Sequence, residues 1–205
     1  KEHHFKTATE DVTKAYAYKT ALALNADYSM VSVSGYGIIS GFTNDGNKIP
    51  EQTIPQYYDK LGFSYNKFAD SITVSETEWD FERYKPDIIV INLGTNDMNY
   101  ATTDERKAEF EDGYLDFLKK VRSLNPDSYI FQTYGVMGTS LEENIENVRR
   151  KYMSETGDER ITFIPLTMQD EDADGIVADW HPSPRTHSLV SQKVTAAIKK
   201  TLGYK

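Results

Sequence analysis

A three-layer α/β/α domain built on a mostly parallel sheet is the fold class this chain predicts, and three observations predict it. Strand-like and helix-like segments alternate over most of the 205 residues. The apolar run Asp87-Ile88-Ile89-Val90-Ile91-Asn92 reads as a buried parallel strand. It stops abruptly in Gly94-Thr95-Asn96-Asp97, a small polar turn of the kind that delivers side chains to the rim of such a sheet. Two more polar turns, Ser34-Gly35-Tyr36-Gly37 and Tyr134-Gly135-Val136-Met137-Gly138, also follow candidate strands. All three are therefore expected on one rim, at the C-terminal strand ends where open α/β sheets bind ligands.

Taken in order, Thr9-Glu10-Asp11 offers an acidic helix start. Ala15, Tyr16, Tyr18, Ala21, Leu22 and Leu24 then give a mostly apolar helical face up to Asn25. Residues 28–33 read as a short strand. Residues 40–80 scatter Gly, Pro, Asn and aromatic residues without sustained periodicity, which predicts a long excursion with at most short helices. Residues 88–92 give the strongest strand signal, 104–124 a long amphipathic helix, 128–133 a strand, 140–155 a helix, and 161–165 a strand. Pro184 opens a closing helix over 184–202. No internal repeat or low-complexity segment interrupts this order.

Composition narrows the function. A formal charge of −9 argues against a phosphate-rich partner, because nucleic-acid affinity comes from clustered Lys and Arg; a neutral substrate fits better. The longest apolar stretches fall far below the ~20 residues a bilayer span requires. With no cysteine, disulfides, thiolate nucleophiles and Cys-based metal sites are excluded, while an extracellular and a cytoplasmic setting both stay open. His3 and His4 are too few for a metal site, which needs three or four converging ligands.

Two motifs carry chemistry. Asn96 is a side-chain donor suited to an oxyanion, and His181, in Asp179-Trp180-His181-Pro182-Ser183, is a lone imidazole suited to general-base work just before a helix start. Together they look like an ester-hydrolysing site. Trp180 borders the base and Tyr36 the Gly35 turn, so both are candidate substrate contacts, whereas Trp79 reads as core packing. Asp97 reads as an acceptor for turn amides. Ser34 lacks the Gly-x-Ser-x-Gly elbow expected of a nucleophile.

Ser34-Gly35-Tyr36-Gly37, Gly94-Thr95-Asn96-Asp97 and Asp179-Trp180-His181 occur in the order of three of the four motif blocks of the SGNH hydrolases, also called GDSL esterases, and the chain resembles that superfamily. The closer resemblance, over nearly the whole chain, is to the second family of carbohydrate esterases, the acetyl-xylan esterase group. Ile91-Asn92-Leu93-Gly94-Thr95-Asn96-Asp97 and Asp179-Trp180-His181-Pro182-Ser183 carry it, with Trp79-Asp80-Phe81 and the 10–26 helix in support. The resemblance implies a flavodoxin-like sheet and removal of O-acetyl groups from xylan or a related plant polysaccharide through a serine acyl-enzyme, with no metal or organic cofactor. It implies Gly35 as backbone donor to the oxyanion, Asn96 as side-chain donor and His181 as base. Either Asp179, two residues before the histidine, or a backbone carbonyl would orient the ring, since Ala178 stands where most SGNH enzymes place an Asp.

The family's nucleophile lies in a Gly-Asp-Ser segment on the first strand, and no Gly-Asp-Ser occurs in these 205 residues. Residues 1–205 are therefore expected to be an esterase domain whose serine comes from an upstream segment of the same polypeptide, itself preceded by a β-sandwich domain. With that central strand elsewhere, the 28–33 and 88–92 strands should stand about 9–10 Å apart, twice the normal spacing. A non-catalytic carbohydrate-binding module and a lipase- or thioesterase-like hydrolase are the alternatives.

Overall fold

The computed structural model describes residues 4–63, 67–68 and 71–204; His3 and positions 64–66 and 69–70 of the long excursion lie outside them. The elements begin with 3₁₀ turns Thr7–Thr9 and Val12–Lys14, then α1 (Tyr16–Ala23), β1 (Lys67–Phe68), β2 (Ile72–Thr73), β3 (Ile88–Asn92) and α2 (Asp104–Leu124). They continue with β4 (Tyr129–Tyr134), α3 (Glu142–Thr156), β5 (Ile161–Pro165), α4 (Glu171–Asp174), a 3₁₀ turn Ala178–Trp180 and α5 (Pro184–Leu202). Residues 33–133 with 140–163 form one compact unit. Residues 134–139 form another with the segment up to Ser32 and the chain from Ile164 onward.

In the first unit β3 and β4 run parallel, in register from Ile88 opposite Tyr129 to Asn92 opposite Thr133, within a sheet of order β3-β4-β5. The apolar β4 residues Ile130 and Phe131 are fully buried, which is what a parallel strand covered on both faces requires. Helix α2 starts where Thr103 accepts from Arg106 N–H and where Asp104 and Glu105 face the positive end of the helix dipole. Its buried stripe of Phe110, Tyr114, Phe117, Leu118 and Val121 packs against α3, whose inner face is Ile145, Val148 and Tyr152. Gly113 matters to the site: a Cβ there would stand 2.3 Å from Ile39 Cγ2, so glycine lets the 38–39 loop lie directly on the helix.

In the second unit α5 begins with Ser183 accepting from Thr186 N–H ahead of Pro184, and ends at Gly203, whose φ of 73° stops the helix. α1 meets α5 through a polar seam. Tyr16 N–H donates to His187 Nδ1 (3.2 Å), Lys19 Nζ to Pro184 O (3.1 Å) and Ser188 Oγ (2.6 Å), and Thr20 Oγ1 to Ser191 Oγ (3.3 Å).

Three expectations need correction. The first helix starts at Tyr16, because Asp11 caps a 3₁₀ turn by accepting from Thr13 N–H and Ala15 then adopts an extended conformation. Its apolar face is only partly covered: Ala15, Tyr16, Tyr18, Ala21 and Leu24 are half-buried, Leu22 is 58% exposed, and the residue it buries is Thr20. Residues 28–33 form no strand, with Val31 and Tyr28 exposed. A strand exists only by its ladder, and among the described residues no strand pairs with this segment or lies beyond β3 in the sheet order. Within the long excursion, the described residues contain no helix.

His187 is half-buried, stacks on Tyr16 and accepts from that residue's N–H. Burial, then the charges of Lys19 and His181, lower its pKa below the ordinary 6.5. The unfolded chain therefore binds this proton more readily, so the stability from a neutral His187 is present above about pH 6.5 and is lost as pH falls through the lowered value. Unfolding midpoints measured from pH 7.5 down to 5 should fall less for His187→Gln, whose carbonyl can still accept from Tyr16. Parallel curves for the two proteins would refute this.

Candidate active site

The Gly94–Asp97 turn at the end of β3 organises one group of candidate residues. Asp97 is fully buried, and the Ile38 N–H donates to both its oxygens (3.0 and 2.9 Å), Ile39 N–H at 2.8 Å and Ser40 N–H at 3.1 Å. Burial pushes this carboxyl above its usual range while those N–H groups pull it back. The backbone of 38–40 is thus wrapped round one carboxylate. Gly37 permits the wrap, since a Cβ would sit 2.1 Å from Ser40 O and 2.5 Å from Asp97 Oδ2.

Beside it, Asn96 Nδ2 donates to Tyr36 O at 2.8 Å. A primary amide has two N–H donors, so this bond fixes the plane of the side chain and leaves a second donor for another acceptor. Gly35, the residue before Tyr36, has a φ of 80°, a left-handed conformation that favours glycine. The Tyr36 ring meets Tyr57 (centroids 6.1 Å) and Phe63 (6.4 Å) in tilted contacts, and Phe63 stays exposed. Tyr57 and Phe63 escaped the sequence reading because their nearness to Tyr36 spans some twenty residues of aperiodic chain.

A second group of candidate residues lies in the 178–181 turn, within the unit that contains α5. His181 Nδ1 lies 2.9 Å from Ala178 O, which also accepts the His181 backbone N–H (3.0 Å). A carbonyl can only accept, so Nδ1 carries the proton and Nε2 presents its lone pair, the tautomer a general base needs. The ring partner is therefore this carbonyl, a group invisible to side-chain reasoning. The Asp179 carboxylate instead accepts from Phe5 N–H (2.9 Å) and meets His4 Nδ1 (3.1 Å), contacts that hold it below the usual carboxylate range. Asp179 and Trp180 are both left-handed, with φ of 48° and 58°, a conformation costing ~1–2 kcal/mol per L-residue. Trp180 is half exposed, and Gln169 Nε2 donates to its carbonyl at 2.9 Å. Among the described residues no three acidic or histidine side chains group to hold a metal ion.

A family model described as the GDSL-like Lipase/Acylhydrolase family matches residues 8–189. The chain belongs to this family. It is 32% identical, over its whole length, to 24% of the cellulase/esterase CelE of Acetivibrio thermocellus. It is 24% identical, over 93% of its length, to 49% of an acetylxylan esterase / glucomannan deacetylase of Cellvibrio japonicus. The chain thus spans between about a quarter and a half of these curated relatives. An acetyl xylan esterase, Est2A, from the rumen bacterium Butyrivibrio proteoclasticus superposes with a TM-score of 0.84 at 28% identity, over 95% of this chain and 56% of that one. A family two carbohydrate esterase from Clostridium thermocellum, solved with cellohexaose, gives 0.81 at 31% identity, over 100% and 59%. The fold of this chain is accordingly the SGNH-type α/β fold with a parallel sheet that its strand and helix order predicts.

Proposed function

We propose that this chain is the main part of a carbohydrate esterase domain that removes O-acetyl groups from xylan or a related plant polysaccharide. The observation that carries the reading is the His181 ring, whose Nδ1 is engaged by the Ala178 carbonyl so that Nε2 is free to take a proton. His181 removes the proton of a serine hydroxyl, and the resulting oxygen attacks the acetyl carbonyl carbon. The oxyanion is held by Gly35 N–H and the Asn96 amide, alcohol leaves with the proton from His181, and water then releases acetate by the reverse roles. Two residues support the substrate class: the half-exposed Trp180 beside the base offers a flat face to a pyranose ring, and Tyr36, an aromatic residue, accepts the Asn96 amide on its backbone carbonyl. The names of the relatives point the same way.

The serine is assigned to a Gly-Asp-Ser segment of the same polypeptide outside these residues, on a strand laid along the outer edge of β3. What supports this placement is that β3 ends the sheet order although its sequence, Ile-Ile-Val-Ile-Asn, is that of an interior strand. The test is made on the complete polypeptide, with acetylated xylan and with esters of increasing acyl length. Acetate release with a steep fall beyond short acyl groups is expected. Preference for long acyl chains would make it lipase-like, and glycan binding without hydrolysis would make it a binding module.

A further inference from the structure

Two consecutive side-chain-bearing residues, Asp179 and Trp180, stand in the left-handed region immediately before the base, and no glycine relieves either. Such a bend persists only where its surroundings over-determine it. Its internal bonds are those of the His181 backbone and ring to Ala178 O. Whether that oxygen can reach Nδ1 depends on the backbone angles at 179, so the bend and the histidine tautomer are one feature. Reaching outward from the bend, the Asp179 side chain carries the bonds to Phe5 N–H and His4.

We propose that Asp179 is a positioning residue for the base: its carboxylate ties the bend to the backbone N–H of Phe5, and this tether holds the Ala178 carbonyl on His181 Nδ1. The N-terminal strip at residues 4–5 is then a working part of the base's support. Gln169, through the Trp180 carbonyl, braces the far side of the same bend. The inference rests on His181 being the base, and it differs from a triad in which Asp179 touches the ring. In a triad, Asp→Asn inverts the tautomer and costs about 10⁴ in turnover. In the tether, asparagine still accepts from Phe5 N–H and tolerates the left-handed conformation, so little changes.

The readout is the pair of ring ¹⁵N shifts of His181 in the labelled protein, recorded with the ring neutral, which needs no turnover. Wild type, Asp179→Asn and Phe5→Ala should each show a single Nδ1–H tautomer. Asp179→Ala, and Phe5→Pro, which deletes only the donor and an exposed ring, should show the two shifts drawn together as the tautomers mix. Should Asp179→Ala not fold, Phe5→Pro carries the test. A retained Nδ1–H tautomer in the tether-deleting variants overturns the proposal, as does an Asp179→Asn spectrum that matches a tether-deleting one. Loss of the base assignment itself is a separate result, read from His181→Ala turnover in the complete polypeptide.

Discussion

Acetate release by the complete polypeptide is expected to fall by about 10²–10⁴-fold on His181→Ala, the range a positioned general base contributes. The protein should still fold, because His181 is exposed and the bend keeps the His181 N–H bond to Ala178 O when the ring bond to the same oxygen is lost. The loss should lie in kcat, with KM for acetylated xylan little changed, since in the proposed mechanism the ring acts on the serine proton. Added imidazole should restore part of the rate by filling the vacated space. Turnover within a few-fold of wild type would remove His181 from the mechanism. Asn96→Ala should cost about 10²–10³-fold, as for loss of one oxyanion donor. It also frees the Tyr36 carbonyl, so a rise in KM is expected with it.

The largest effect on stability is expected from Asp97→Ala. The N–H groups of Ile38, Ile39 and Ser40 would lose their shared acceptor, and each such group left buried costs ~1–3 kcal/mol. A loss of about 3–6 kcal/mol is a large share of the ~5–15 kcal/mol that holds a domain folded. Asp97→Asn keeps one acceptor oxygen and the same shape, so it should fall between wild type and alanine. Urea midpoints give the order directly. An alanine variant as resistant as wild type would mean that the carboxylate does not hold the 38–40 loop, and with it the Gly35 turn.

The sequence was most legible where structure is locally determined. The strands 88–92 and 161–165 and the helices 104–124 and 184–202 have the boundaries their residues imply, because an apolar run, a Thr103 or Ser183 cap, Pro184 and Gly203 act within a few residues. Residues 28–33 have the composition of a strand, but pairing is decided by distant chain, so composition could not decide it. The first helix was misjudged because Asp11, a plausible helix cap, caps a single 3₁₀ turn instead. Within the site, Asn96 and His181 could be named from their chemistry. The Ala178 carbonyl could not, because its role is set by two left-handed residues that no periodicity announces. Asp97 was readable as an acceptor of turn amides, but not the reach of its grip to Ser40, fifty-seven positions earlier in the chain.

The outer edge of β3 has a practical consequence. Ile88–Asn92 carries no charge, and Val90 at its centre is 37% exposed. Such a seam templates strand addition from any chain in reach. Produced by themselves, these residues are prone to zip together edge to edge, and the docked neighbour would crowd the loop that carries Asn96. Solubility screening of shortened versions is therefore best begun with a lysine at position 90, whose ammonium would repel a second copy.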